Sequence, residues 1–347
     1  MKVAITGKGG VGKTTLSSTL ARLYAAEGRP VLAADVDPDA NLGLALGLSQ
    51  EEVDAIVPIS KMRTLVEERT GANEANKFFK LNPYVADIPE KYAKDVGGVK
   101  LLVDAGMSAA RVEANLREIG VDIRNIDAIL ITHEHIDHVR GLGVLCRRYG
   151  MPVYANEGTW QGILQKETGI PQKCMRTFYT GEDFYIGALN VHPFPIPHDA
   201  ADPVGFAFDC QGLRCGGGTD IGHISETWMR AVSGCQALVL EANHDVDMVR
   251  RGPYPQRLKQ RILGQRGHLN NEDCARALCE LAESGTRAVF LSHLSTDNNL
   301  PELAYNTVCG ALSAAGFDVG NDIRVCVSRR DRVSDLLTLQ TDEADAM

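Results

Sequence analysis

Four side chains able to bind a metal lie within one short segment of the sequence. Residues Thr132–His138 have the pattern H-x-H-x-D-H and follow an apolar run that predicts a buried strand over 126–131. His133 and His135 can point at one cation, while Asp137 and His138 can turn to a second cation about 3.5–4 Å away, as in two-metal sites. Three imidazoles and one carboxylate suit Zn²⁺ best, with Mn²⁺ or Fe as alternatives. The segment therefore predicts two divalent cations.

Three later side chains are candidates to complete the two coordination shells. His198 follows a predicted strand over 188–193, Asp220 follows a run of glycines, and His293 lies in an apolar run that begins at residue 288. The Asp220 carboxylate could bridge both cations, and His293 could close the shell of the second one. Asp220 and Asp137 are therefore candidate catalytic residues as well as candidate ligands.

Two cations bridged by a hydroxide are typical of a hydrolase. A hydroxide that bridges two cations is a nucleophile at neutral pH, because metal binding lowers the pKa of water to about 7. Phosphoryl and acyl substrates both fit this chemistry, but no feature of the sequence points to a thioester or a β-lactam. A basic run without Asp or Glu between Met248 and Asn271 favours a phosphodiester, such as a nucleic-acid backbone bound in a salt-dependent way. The alternative is a solvated basic helix. The run consists of Arg250, Arg251, Arg257, Lys259, Arg261 and Arg266.

A different chemistry is indicated near the start of the chain. Residues 7–15 read Gly-Lys-Gly-Gly-Val-Gly-Lys-Thr-Thr, between a predicted strand over 2–6 and a predicted helix through Ala26. This is the G-x-x-x-x-G-K-T pattern of a phosphate-binding loop, in which Lys13 would lie on the β- and γ-phosphates and Thr14 would reach Mg²⁺. A second predicted strand, Pro30–Ala34, leads to Asp37, whose carboxylate could hold Mg²⁺ or orient the attacking water.

The composition is that of a soluble globular protein, and short β-rich runs that alternate with helical stretches favour an α/β class. The chain has 347 residues, a formal charge of −9 and 44% apolar residues, which suggests two domains and excludes disorder as the main state. No stretch approaches the roughly 20 apolar residues of a membrane span, and the start lacks the apolar segment of a signal peptide. The nine cysteines, with no C-x-x-C pair, predict reduced thiols and a cytoplasmic location.

Residues 99–335 resemble the metallo-β-lactamase-fold hydrolases, in a subgroup of exonuclease-like or phosphodiesterase-like proteins. The resemblance lies in residues 99–106, 132–138, 198–206, 219–223, 240–244 and 267–271. It implies an αββα sandwich with one cation held by His133, His135 and His198, the other by Asp137, His138 and His293, and Asp220 between them. It also places His244 and His268 near the cleft. His268 becomes a third candidate catalytic residue, and the candidate substrate contacts are His244, Arg250 and Arg251.

The N-terminal segment, about residues 1–102, resembles a second family. Lys8 matches the additional lysine of the deviant Walker A ATPases, which contacts the phosphates across a nucleotide-sandwich dimer. Residues 35–42, 67–71 and 78–89 look like the nickel-insertion accessory ATPase of carbon monoxide dehydrogenase, in which Asp37 would activate water. The later parts of that family, including its switch II and its metal-binding C-x-C, are absent. The predicted nucleotide-binding residues are Lys8, Gly9, Gly10, Gly12, Lys13, Thr14, Thr15 and Asp37.

The predicted fold class is α/β, an αββα metallo-β-lactamase-like sandwich preceded by a truncated P-loop α/β segment. We expect a partial P-loop segment over 1–98, a sandwich domain over 99–335 that lacks the first two strands of its family, and a frayed tail over 336–347. The expected function is that of a metal-dependent hydrolase, a phosphodiesterase or nuclease that uses a metal-bridging hydroxide. The alternatives are an ATP- and Mg²⁺-binding ATPase of metallocentre assembly, with a homodimer as its expected assembly, or an inactive chimera.

Overall fold

A computed structural model of the chain divides it into two compact units, residues 1–98 and 99–347. The structure describes residues 13–26, 31, 33–35, 41–48, 50–58, 61–62, 65, 99–166, 169–187, 189–210, 212–330 and 332–339. In these parts of the chain, no helix has the length and the apolar character that crossing a bilayer requires.

The described residues of the first unit include three helices. The predicted helix through Ala26 is confirmed, while the predicted strand over 2–6 lies outside the described residues. The predicted strand over 30–34 is wrong at its described residues, since Val31, Ala33 and Ala34 lie in no strand. A strand requires a hydrogen-bonded neighbour, and no described residue of this unit pairs with them. The helices are α1 (Lys13–Ala26), α2 (Leu42–Ala45) and α3 (Gln50–Asp54).

The second unit begins with a four-stranded parallel sheet, in the order β1-β2-β3-β4. Its strands are β1 (Leu101–Val103), β2 (Ala128–Leu130), β3 (Val153–Ala155) and β4 (Met175–Thr177). The helices between these strands are α4 (Ala109–Glu118), α5 (Ile136–Val139), α6 (Leu142–Tyr149) and α7 (Glu157–Lys166), with 3₁₀ turns at Ile123–Asn125 and Gln172–Cys174.

A seven-stranded mixed sheet follows, in the order β11-β10-β9-β8-β7-β6-β5. Strands β5 to β8 pair antiparallel, whereas β8 to β11 pair parallel. The strands are β5 (Phe184–Ile186), β6 (Leu189–Pro195), β7 (Val204–Cys210), β8 (Leu213–Gly218), β9 (Ala237–Glu241), β10 (Ala288–Ser292) and β11 (Arg324–Val327). The helices are α8 (Glu226–Val232), α9 (Val246–Arg251), α10 (Gln256–Ile262), α11 (Asn271–Glu283) and α12 (Pro301–Ala314).

The second unit has four layers because each sheet buries both faces. In β2, Ile129 packs in the cluster formed with the helices of the first sheet, while Leu130 packs in the cluster between the sheets. In β7, Phe206 belongs to that central cluster and Ala207 to the cluster beneath α11 and α12. Alternation along each strand therefore produces a helix–sheet–sheet–helix sandwich.

Candidate metal centre

All seven predicted ligands lie at one edge of the sandwich. His133 follows β2, His198 follows β6, Asp220 follows β8 and His293 follows β10. Strands β6, β8 and β10 run in the same direction within the second sheet, so their carboxyl ends meet at one edge. The remaining ligands are carried by the turn after β2 and by α5, which begins at Ile136. These seven residues form the candidate metal centre, called the metal centre for short: His133, His135, Asp137, His138, His198, Asp220 and His293.

The first cluster of the metal centre contains three imidazoles. Donor atoms of His133, His135 and His198 all lie within 4.8 Å of one another. The Nε2 atom of His198 lies 3.3 Å from Nδ1 of His135. The Nε2 atom of His133 is buried and has no hydrogen-bond partner among the described residues. Three imidazole nitrogens that converge in this way can serve as three of the four ligands of a tetrahedral cation site.

The second cluster contains Asp137, His138 and His293, whose donor atoms also lie within 4.8 Å of one another. The Oδ2 atom of Asp137 lies 3.9 Å from Nε2 of His138. The Asp137 side chain is 63% exposed, whereas that of His138 is 9% exposed. This cluster therefore has one open side, toward solvent.

Asp220 lies between the two clusters. Its Oδ2 atom is 3.0 Å from His138 Nε2, while its Oδ1 atom is 3.5 Å from His198 Nε2 and 3.7 Å from His293 Nδ1. The residue is 2% exposed, and Oδ2 makes no hydrogen bond of good geometry within the described residues. Buried polar atoms normally have partners, so an unpaired carboxylate oxygen among converging imidazoles fits a bound cation.

Asp104 supports the metal centre and was missed from the sequence. Its carboxylate accepts hydrogen bonds from the backbone N–H and the hydroxyl of Thr132, at 2.9 and 2.8 Å, and from Nδ1 of His138 at 2.8 Å. The last contact leaves Nε2 of His138 to face Asp220. Such partners fix the tautomer and the orientation of a metal-binding imidazole.

Glu241, at the end of β9, is the second residue that sequence reasoning missed. Its carboxylate is fully buried and accepts hydrogen bonds from His268 Nδ1 at 3.0 Å and His293 Nδ1 at 2.7 Å. It also accepts from the backbone N–H groups of Ile221 and Leu269, at 2.6 and 3.2 Å. Glu241 thus orients both imidazoles and fixes the loop that carries Asp220. A carboxylate that ends an otherwise apolar strand was the available signal.

The backbone is strained at three points, all in this region. Within the described residues, the non-glycine residues with positive φ are Asp104 at 62°, Asp220 at 59° and His293 at 56°. Such conformations cost about 1–3 kcal/mol each and persist where the surrounding contacts fix them. Here the fixing contacts are the hydrogen bonds of Asp104, Glu241 and their partners.

The protonation states follow from burial and from the carboxylates. Burial lowers the pKa of His133 to about 2, so this ring is neutral and able to bind a cation. Burial also opposes charge on His138 and His293, but Asp104 and Asp220 raise the pKa of His138 to about 11. Glu241 and Asp220 similarly raise the pKa of His293 to about 9. Cation binding at these two rings must therefore displace protons.

The candidate substrate contacts differ in their placement. His244 is 0% exposed and pairs with Asn270 in an isolated bridge, and its direct contact with substrate stays a prediction. Arg250 and Arg251 are exposed at the end of α9, where Arg251 pairs with Asp247 at 3.1 Å.

The predicted nucleotide-binding residues fall mostly outside the described residues, which exclude Lys8, Gly9, Gly10, Gly12 and Asp37. Lys13, Thr14 and Thr15 form the first turn of α1.

Two parts of the chain match two different protein families. Residues 100–294, more than half of the chain, match the Beta-lactamase superfamily domain, and residues 2–91 match an AAA domain family. Exodeoxyribonuclease YycJ of Bacillus anthracis is 41% identical over 226 residues, which cover 65% of this chain and 86% of that protein. Carbon monoxide dehydrogenase accessory protein CooC of Rhodospirillum rubrum is 54% identical over 104 residues, which cover 30% of this chain and 40% of that protein.

The fold has a counterpart among crystal structures. The metallo-beta-lactamase fold protein YhfI from Bacillus subtilis superposes with a TM-score of 0.50, covering 68% of this chain and 87% of that one, at 17% identity. This likeness concerns the fold alone, and with the family match it confirms the predicted metallo-β-lactamase-like sandwich. The chain belongs to the beta-lactamase superfamily, as a hydrolase of the metallo-β-lactamase fold.

Proposed function

We propose that this chain is a metal-dependent phosphodiesterase that acts on nucleic acid. The observation that carries the proposal is the position of Asp220, whose two oxygens face His138 at 3.0 Å and His198 at 3.5 Å. One carboxylate between two clusters of ligand atoms can serve both cations of a two-metal site. The relative named as an exodeoxyribonuclease, matched over 86% of its length, supports nucleic acid as the substrate class.

The residues divide into two proposed cation sites, with Zn²⁺ as the proposed metal. His133, His135 and His198 would hold the first cation, and Asp220 would serve both. The second would be held by Asp137, His138 and His293. Bound there, the pair would supply a hydroxide nucleophile at neutral pH and would stabilise negative charge on the phosphate.

His268 is the proposed proton donor to the leaving group. Its Nδ1 atom donates to Glu241 at 3.0 Å, so Nε2 is the nitrogen left for the substrate. Burial opposes a charge on this ring, but the hydrogen bond to Glu241 raises the pKa of His268 above its ordinary value and favours the protonated form. The side chain is 17% exposed, and it lies 3.5 Å from Asp220 beside the metal centre.

Two substrates of different leaving-group quality test this assignment. Zinc-loaded protein is expected to hydrolyse bis-p-nitrophenyl phosphate and end-labelled oligodeoxynucleotides. His268→Ala should lower kcat on the oligonucleotide by about 10²–10⁴, the usual contribution of general acid catalysis. It should change the rate on the nitrophenyl ester little, because nitrophenolate leaves without a proton.

His192→Ala is the matched control, since His192 pairs with Asp183 at 2.6 Å outside the metal centre. Equal losses on both substrates would assign His268 a structural role. A metal-loaded protein that cleaves neither substrate would contradict the proposed function.

We propose domain limits at 1–98, 99–335 and 336–347. For the N-terminal segment, we propose a nucleotide-binding role. The match of residues 2–91 to an AAA domain family favours it. The chain spans 40% of the length of CooC, so ATP hydrolysis is not part of the proposal. Binding of a fluorescent ATP analogue that Lys13→Ala abolishes would support this role, and equal binding by both proteins would contradict it.

The state of the cysteines supports the proposed location. All nine cysteines lie in described parts of the chain and are free thiols. Free thiols favour a reducing compartment, so the proposed location is the cytoplasm.

A further inference from the structure

The basic side chains of residues 250–266 have different kinds of hydrogen-bond partner. The Nζ of Lys259 donates to the carbonyl of Arg250 at 2.8 Å. The guanidinium of Arg266 donates twice to the carbonyl of His198, at 2.9 and 2.7 Å, which fixes the backbone of a proposed ligand. Arg261 has a third kind of partner, the carboxylate of Asp199.

The Arg261–Asp199 pair connects the basic run to the metal centre. Nε of Arg261 donates to Oδ2 of Asp199 at 2.5 Å, and Nη2 donates to Oδ1 at 3.0 Å. That same Oδ1 atom lies 3.3 Å from Nε2 of His198. The guanidinium is therefore held, through one carboxylate, beside a nitrogen of the first cluster.

Arg261 keeps hydrogen-bonding capacity in this position. Its side chain is 50% exposed, and the two contacts to Asp199 use Nε and Nη2. Nη1 makes no hydrogen bond to the described part of the chain. A guanidinium has five donors in a planar fork that matches phosphate oxygens, so Nη1 and the second hydrogen of Nη2 are available for an anion.

We propose that Arg261, positioned by Asp199, binds a non-bridging phosphate oxygen of the nucleic-acid strand beside the metal centre. This inference rests on the proposed function and names the residue that would recognise the phosphate. Holding the guanidinium in place before binding reduces the entropy lost when the strand docks. Arg266 also donates through Nε and Nη2, but to the backbone carbonyl of His198, so it is not linked to the metal centre through Asp199 and the proposal is confined to Arg261.

The test compares single-stranded oligodeoxynucleotide kinetics and binding across matched variants. Arg261→Gln should raise KM by about ten- to hundredfold, the value of a hydrogen bond to a charged group. It should also reduce the slope of log KM against log salt concentration by about 0.7, which corresponds to one lost phosphate contact on a single strand. Metal content should stay at the wild-type value.

Asp199→Asn should raise KM less than Arg261→Gln, and the double variant should match Arg261→Gln alone, because Asp199 acts through Arg261. Arg261→Lys should show an intermediate KM, since it keeps the charge but loses the fork. Arg117→Gln is the control, because Arg117 is 76% exposed and also paired with a carboxylate, Glu113, at 3.0 Å. It should leave both KM and the salt slope unchanged.

The outcomes separate this inference from the proposed function. An Arg261→Gln protein with normal metal content, wild-type KM and wild-type salt slope would overturn the inference while leaving the phosphodiesterase proposal intact. If wild-type protein cleaves no phosphodiester, the proposed function fails, and fluorescence-polarisation binding of the same oligonucleotide still decides the inference. Weaker and less salt-dependent binding by Arg261→Gln would support it, whereas equal binding, or no binding by either protein, would contradict it.

Discussion

The Nδ1 atom of His293 donates a hydrogen bond to Oε1 of Glu241 over 2.7 Å. Glu241 is fully buried and accepts from four N–H groups in total, two of them on imidazoles of the site. The bond assigns the proton of His293 to Nδ1 and leaves Nε2 for the metal centre. Glu241 therefore acts through the imidazoles that it orients.

Replacing Glu241 by Gln tests this relationship. The amide would present an N–H₂ group to imidazole and backbone donors, so we expect the affinity for the second cation to fall by about 10–100-fold, as for other outer partners of ligands. Chelator competition measures that affinity. Glu226→Gln is the control, since Glu226 is 88% exposed on α8. Unchanged cation affinity in Glu241→Gln would show that His293 needs no orienting partner.

Gly106→Ala tests how closely the segment after β1 packs against the backbone of Asp137. A Cβ at residue 106 would lie 1.6 Å from the backbone oxygen of Asp137, so the ligand segment would have to move. We expect a loss of about 1–3 kcal/mol in the free energy of unfolding, together with weaker binding of the second cation.

Urea unfolding measures this loss, with Gly310→Ala as the control. A Cβ at Gly310, within α12, meets nothing within 4 Å, and that variant should be neutral or stabilised by about 0.5–1 kcal/mol. Equal free energies of unfolding for Gly106→Ala and wild type would mean that residue 106 does not pack closely against the backbone of Asp137.

Metal removal is expected to destabilise the sandwich domain. A ligand present at 100 times its Kd stabilises the folded state by about 2.7 kcal/mol, which corresponds to a Tm shift of about 5–10 °C for a domain of this size. Calorimetry with and without a chelator measures the shift. His135→Ala should reduce it and His192→Ala should not. An identical Tm in both conditions would argue against cations at the buried imidazoles.

The convergence of the seven candidate ligands could be predicted from the sequence because their signals are local. Thr132–His138 places four donors in one turn, and His198, Asp220 and His293 each follow a strand. Parallel strands end at one edge, so position along the chain was enough to indicate convergence.

The supporting residues could not be predicted in the same way. Asp104 contacts His138 across 34 residues, and Glu241 contacts His293 across 52, so their roles depend on tertiary contacts that no spacing records. His244 follows Glu241 by three residues and is buried, which that spacing does not indicate. Arg261 could be recognised as basic, but its pairing with Asp199, 62 residues away, required the fold.

We propose that seven side chains hold two cations, with Asp220 shared between them. The most direct measurement is the metal content of purified protein after saturation with Zn²⁺ and removal of the excess, by plasma mass spectrometry, for wild type and Asp220→Ala. We predict two ions per wild-type chain and a clear loss of bound metal in Asp220→Ala, with folding checked by circular dichroism. A folded wild-type chain that retains less than one ion, or an Asp220→Ala chain that retains two, would contradict the account.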